Sequence, residues 1–212
     1  MSTRIQKQRP PMRKEPTQAR SRATVDAIVE AGARVLGDRG WAGFTTNIVA
    51  AVAGISIGSL YQYFPDKLSL VEAIRRRHFD EVLAVLRQVA VADLPLKQGA
   101  DALVQGMIDA HGLNPELHRV LLDEVPGFEG SRSAHDTFLA DYQRYYRDFV
   151  AIHRRVGSGP SNDVLAQVLS GMVEGVIHNG ARKGTLDSPD LKQELVRMIC
   201  SYLGGIDRQA RI

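Results

Sequence analysis

Between Phe44 and Leu70 the chain reads FTTNIVAAVAGISIGSLYQYFPDKLSL, a run of hydroxyls, an amide and one lysine set at intervals among small and apolar residues. Thr46 and Ser56 stand where two short helices are expected to begin. The unpaired N–H groups and the dipole of a helix N-terminus favour an anion at such places. Tyr61, Tyr63 and Lys67 follow at spacings that would set donors along a sugar-phosphate strand. Enzyme chemistry has no comparable signal. No HExxH, GxSxG or GxxxxGK[ST] run occurs, nor a Cys-plus-His constellation. Gly157-Ser158-Gly159 lacks a preceding strand and a lysine, so it reads as a loop. No catalytic residue, metal site or cofactor is expected.

The elements that must position these groups follow from periodicity. Val25, Ile28, Val29, Gly32, Ala33 and Leu36 recur at three- and four-residue steps, the period of an amphipathic helix. Gly37 and Gly40 are expected to end that helix. Thr45 or Thr46 then caps a short helix, Asn47 to Ala53, which Gly54 breaks. Ser56 caps a third helix that runs to Phe64, and Pro65 stops it because proline supplies no N–H. Two short helices joined by a glycine turn make a helix-turn-helix. Ala50, Ala51 and Ala53 are small where the helices cross, and Ile55 and Leu60 plug the space between them. The second helix would lie in the major groove of a duplex, with Gly58 bare where it approaches most closely. A helical hairpin with no ligand is the alternative.

The same stretch closely resembles the signature of the TetR (tetracycline-repressor) family, most completely over Ile55-Ser56-Ile57-Gly58-Ser59-Leu60-Tyr61-Gln62-Tyr63-Phe64-Pro65-Asp66-Lys67. The resemblance covers roughly residues 18–70. It implies a repressor that binds a palindromic double-stranded operator as a homodimer and releases it when a small effector binds. It implies that Thr46 and Asn47 touch phosphate or a nearby base. Ser56, Ile57, Gly58, Ser59 and Tyr61 would face the major groove and its flanking phosphates, while Tyr63 and Lys67 hold the backbone. Arg20 and Arg22, ahead of the first helix, would enter the adjacent minor groove. Asn47 and Ile57 depart from many relatives. An isoleucine meets a thymine methyl but cannot read guanine.

The remaining chain is consistent with an all-α fold of about nine helices. Asp66 is a good N-cap for a long fourth helix to about Val91, and further helices are expected near 96–111, 115–124, 132–156, 162–183 and 189–204. Residues 1–16 are expected to form a disordered basic arm, 17–67 the DNA-binding domain, and 68–212 an effector-binding and dimerisation domain. Net charge over the 212 residues is only +3, but residues 1–80 hold 13 Lys+Arg against 7 Asp+Glu. A basic N-terminal third suits a polyanion partner. The single cysteine, Cys200, excludes an internal disulfide. No apolar run approaches the roughly 20 residues that span a bilayer, and no secretory signal is evident. A soluble, cytoplasmic protein without membrane contact is expected.

In the body, Phe138, Tyr142, Tyr145, Phe149 and Ile152 form one helical stripe, which is either core or, on the resemblance, pocket lining. His111, Glu174 and His178 are polar groups in apolar helices. Glu174 and His178, four residues apart, suit a metal, an ion pair or an effector. His111, Tyr142, Tyr145, Glu174 and His178 are the candidate effector contacts. His118, His135 and His153 are expected to face solvent. The last two helices carry more apolar residues than one stripe needs, Val164, Leu165, Val168, Leu169, Met172, Val176 and Ile177 on the first and Leu191, Leu195, Met198, Ile199, Tyr202 and Leu203 on the second. They are the expected dimer interface, with a fully buried helix pair in a monomer as the alternative.

Overall fold

The structure, a computed structural model, describes residues 19–112, 114, 116–126, 129–154 and 159–204. The expected basic arm, 1–16, lies outside the described residues. In chain order the elements are α1 (Ala19–Gly43), α2 (Thr46–Val52), α3 (Ile57–Tyr63), α4 (Lys67–Val91), α5 (Leu96–Gly112) and α6 (Leu117–Arg119), which runs into a π-helical turn (Val120–Glu124). They continue with α7 (Glu129–His153), α8 (Asn162–Lys183) and α9 (Pro189–Gly204). No strand occurs among the described residues. The all-α expectation holds, with nine α-helices among them.

By packing the chain divides into two compact units. One takes the described residues up to Arg77 together with 117–134, and the other takes 78–116 and 135 onward. In the first, α1, α2, α3 and the start of α4 bury Ile28, Leu36, Phe44, Leu60, Phe64, Leu70 and Ile74 around one core. Leu117, Val120, Leu121 and Val125 complete that core, although they lie about 50 residues further along the sequence than α4's first turns. Residues 68–77 and the described segment from Leu117 to Val125 thus pack with the N-terminal helices, where the sequence placed the division near residue 67. A buried ion pair, Arg75 to Glu72 at 2.9 Å, also reaches across, with Arg75 donating to the carbonyl of Leu121 at 3.4 Å.

The first helix differs from expectation at its end. It passes Gly37 and runs to Gly43 with a kink at Gly40 (φ 63, ψ −178). The kink turns the Trp41 amide toward the π-helical turn, where it donates to Glu124 Oε2 at 2.9 Å. Asp66 caps α4 as expected. It accepts from the Ser69 N–H at 2.8 Å, and the Ser69 hydroxyl accepts from the Asp66 N–H at 3.2 Å.

In the second unit the latter part of α4 (Phe79, Val82, Leu86) packs with α5 (Leu103, Val104, Met107), α7, α8 and α9 in a second core. A Cβ at Gly106 would lie 2.5 Å from Val85, so glycine there permits the close approach of α5 to α4. Ser161 caps α8, and Gly184 closes it with φ 65.

Gly40 and Gly54 have nearly the same positive φ, 63 and 67, but different surroundings. A Cβ at 40 would meet Glu124 Oε2 at 2.7 Å, whereas nothing lies within 4 Å of one at 54. Gly54→Ala should therefore cost only the left-handed backbone penalty, about 1–2 kcal/mol. Gly40→Ala should cost more, because the Glu124 contact is lost with it. Urea unfolding of the two variants measures the difference, and equal losses would show that Glu124 contributes nothing at the kink.

Candidate nucleic-acid interface

The turn between α2 and α3 is built by backbone hydrogen bonds. Ala53 N–H donates to Val49 O at 2.8 Å, Gly54 to Ala51 O at 3.2 Å and Ile55 to Ala50 O at 3.0 Å. Ala50 and Leu60 are buried between the helices, Ile55 and Ala53 are half-buried, and Ala51 faces out. Thr45, rather than Thr46, caps α2 through the Ile48 N–H at 3.3 Å. Ser56 caps α3, accepting from the Ser59 N–H at 3.1 Å.

The hydroxyls around the two helix starts also pair with one another. Thr46 Oγ1 and the Tyr61 hydroxyl are 3.0 Å apart, joining α2 to α3. The Ser56 and Ser59 hydroxyls are 2.8 Å apart. Asn47, Ser56, Ile57, Gly58 and Tyr61 are exposed, while Thr46, Ser59 and Tyr63 are half-buried. Ile57 and Tyr61 expose 37% and 41% of their surface. Nothing in the fold requires glycine at 58. A Cβ there would meet only the Ser56 hydroxyl, at 3.8 Å. The bare backbone is open outward, on the side opposite buried Leu60.

Lys67 is placed differently from a free surface lysine. Its ammonium donates to the Trp41 carbonyl at 2.9 Å and stands 3.5 Å from the centre of the Trp41 ring. Burial lowers its pKa from the usual lysine range. An ammonium has three donors, so this bond leaves N–H groups for a phosphate. Trp41 in turn donates its amide to Glu124, which Arg119 also holds at 2.8 Å. The Glu124 carboxyl is kept below its ordinary pKa, first by the Trp41 N–H and then by Arg119. Arg20 and Arg22 are exposed but lie within the first turn of α1, not ahead of it. The polar sequence from Ala19 forms helix as readily as the residues after it.

The candidate effector contacts fall in the second unit. His111 is buried, its Nδ1 2.8 Å from Met107 O. Its ring centre lies 5.2 Å from that of His178 and 5.3 Å from that of His78. His78 was absent from the sequence reading, although it is buried at the start of the second unit. Tyr142 is buried with its ring 5.0 Å from that of Tyr146, whereas Tyr145 sits half-buried under the Arg144 guanidinium. The buried stripe of α7 is thus Phe138, Tyr142, Tyr146, Phe149 and Val150, and Ile152 is half exposed. Burial raises the pKa of Tyr142, Tyr146 and Glu174. Burial lowers that of His111 and takes His78 down to about 3, aided by the charges of His111 and His178. Among the described residues no group of three His, Cys, Asp or Glu is arranged to hold a metal ion. The side chains of His118 and His135 lie outside the described set. His153, expected in solvent, is half-buried against Phe149, ring centres 4.4 Å apart. Also among the described residues, no helix is long and apolar enough to cross a membrane.

Comparison with known proteins bears on both units. Residues 28–74 match the family profile described as bacterial regulatory proteins, tetR family. Residues 95–203 match the one described as tetracyclin repressor-like, C-terminal domain. The HTH-type transcriptional repressor KstR2 of Rhodococcus jostii is 26% identical over 121 residues, which cover 57% of this chain and 58% of that protein. The HTH-type transcriptional activator FasR of Mycolicibacterium smegmatis is 33% identical over 96 residues, covering 45% of this chain and 44% of the relative. The chain thus spans about half the length of these curated relatives. The solved structure of the fatty acid degradation regulator FadR from Bacillus halodurans has the same fold, with a TM-score of 0.68 and 16% identity over 85% of this chain and 98% of that one.

The imidazole cluster makes stability depend on pH. His78 has a folded pKa of about 3 against an ordinary 6.5, so between these values the unfolded chain binds the extra proton. Stability conferred by neutral His78 is present above pH 6.5 and is lost as pH falls toward 3. Glu174, with a raised pKa, acts in the opposite sense: its contribution grows as pH falls through its folded pKa. In a Glu174→Gln background, unfolding free energy should fall on acidification below pH 6.5. The further change His78→Gln should flatten that slope by about one proton, roughly 1.4 kcal/mol per pH unit. Chemical denaturation at a series of pH values gives both slopes. An unchanged slope would mean His78 is not the group that titrates.

Proposed function

The chain belongs to the tetR family of bacterial regulatory proteins, and from that premise we propose that it is a DNA-binding transcriptional regulator, acting as a repressor, that leaves its operator when a small amphipathic molecule binds in the second unit. The observation that carries the DNA reading is the outer face of α3. It combines an open Gly58, an exposed Ile57 and hydroxyls already oriented by mutual hydrogen bonds. Oriented neutral donors meet phosphate at little entropic cost, and a bare helix surface admits base edges.

The dimer is the second part of the reading. On α8 and α9, Leu165, Leu169, Ile177, Leu195, Ile199 and Leu203 are consumed by the unit's own core. Val164, Val168 and Met198 remain 42–48% exposed on the same helices. Covering them with a second copy gives two recognition helices related by a two-fold axis, hence a near-palindromic site. The full-length protein should sediment as a dimer and bind a duplex from its own upstream region with affinity that falls steeply with salt. A stable monomer, or binding indifferent to sequence, would overturn this reading.

The effector part rests on the polar cluster. His78, His111, Tyr142, Tyr146, Glu174 and His178 lie among apolar side chains of α4, α5, α7 and α8. His78, His111, Tyr142 and Tyr146 are buried there and Glu174 and His178 half-buried. A ligand with an apolar body and a polar end would find its partners there. The Bacillus halodurans neighbour is described as a regulator of fatty acid degradation, and a long-chain acyl compound has that shape. α4 supplies His78 to this cluster and Lys67 to the other unit, so a ligand that displaces the first shifts the helix that carries the second. Coupling is reciprocal. Titration of an identified acyl ligand, with and without operator, should give affinities that differ about 5- to 150-fold. Equal affinities would remove the ligand response and leave the DNA reading standing.

A further inference from the structure

The outermost side chain of α3 is Gln62. At about 100° per residue, positions two before and two after buried Leu60 point almost directly away from the core, and these are Gly58 and Gln62. Gln62 is exposed, and its neighbour on that face, one turn earlier, is the bare Gly58. The flanking polar groups already pair within the chain: Ser56 with Ser59, Thr46 with Tyr61, Lys67 with the Trp41 carbonyl. The Gln62 carboxamide has no such bond among the described residues. From Gly40 to Pro65 the sequence contains no Lys, Arg, Asp or Glu. This surface therefore lacks the cation that reads guanine O6 and N7 in a bidentate pair, and it lacks the carboxylate that accepts from cytosine. A carboxamide offers one donor and one acceptor side by side, the complement of adenine N7 and N6–H. Ile57, 37% exposed at the start of the same helix, offers methyl groups to a thymine methyl and nothing to a polar edge.

We infer that Gln62 is the base-reading residue of α3 and that it reads adenine, so that the operator carries an A·T pair at that position of each half-site. This rests on the DNA-binding reading above and deepens it by stating which bases the surface selects.

The test uses the full-length protein. Selection from a pool with randomised, symmetry-related half-sites should enrich A·T at one position per half-site. Replacing that pair with G·C should weaken binding about 5- to 150-fold, the span of one good bidentate contact. Placing 7-deaza-adenine there, which lacks the N7 acceptor, should weaken it in the same direction by less. Gln62→Ala should abolish both sensitivities while leaving the salt dependence of binding unchanged, since no phosphate contact is removed. Gln62→Glu, an acceptor only, should move the selected base toward cytosine. Retention of the wild-type preference by Gln62→Ala, or G·C enriched where Gln62→Ala relaxes selectivity, would overturn the inference while leaving the regulator reading intact. Enrichment of no sequence at all would instead remove that reading.

Discussion

The first unit cannot close its core with α1 to α4 alone. Leu117, Val120, Leu121 and Val125 belong to the same buried cluster as Val35, Leu36 and Phe44, and burying four such side chains contributes several kcal/mol, at about 1.5–3 kcal/mol each. The inserted segment packs on α1, against which α2 also packs. The π-helical turn also brings Glu124 to the kink at Gly40, where its carboxylate takes the Trp41 amide that the broken helix no longer satisfies. A helix that ends inside a packed unit needs such an acceptor, because an unmade hydrogen bond costs more than a made one contributes. The kink, the carboxylate and the Lys67 ammonium on the Trp41 carbonyl therefore form one continuous hydrogen-bonded joint.

Between that joint and Pro65 the surface is formally uncharged. Under the proposed function, attraction to a polyanion would come from outside α2 and α3, from groups such as Arg20, Arg22 and Lys67, while the helix-turn-helix would supply shape and oriented dipoles. Long-range attraction and local recognition are thus assigned to different parts of the unit. The hydroxyl pairs Thr46–Tyr61 and Ser56–Ser59 fix rotamers in advance, which reduces the entropy lost when a partner arrives.

The sequence was informative where structure is local. The helix periods, the caps at Ser56 and Asp66, the glycine turn at 54 and the stop at Pro65 are all set by residues within one or two turns, and the structure has them there. Of the two adjacent threonines that could cap α2, the structure uses Thr45. What was not legible is long-range. No pattern near Gly40 announces a carboxylate 84 residues away, so the helix was expected to stop where it only kinks. The α7 stripe was read with Tyr145 where the buried residue is Tyr146. Three- and four-residue steps from Tyr142 are equally helical, and only the packing of the other helices chooses between them. His78 follows Arg75, Arg76 and Arg77, whose company suggests solvent, yet it is buried.

The position of the single tryptophan has an optical consequence. Trp41 has a cation 3.5 Å from its ring centre, the Phe44 ring stacked at 6.4 Å and a carboxylate on its amide. Indole emission responds in wavelength and yield to nearby charge and to hydration. The chain thus carries its own unlabelled reporter at the joint between kink, π-helical turn and recognition helices. The imidazole cluster, with no indole of its own, is silent in that channel. A change in emission on adding any compound therefore speaks of the joint, whatever site the compound occupies.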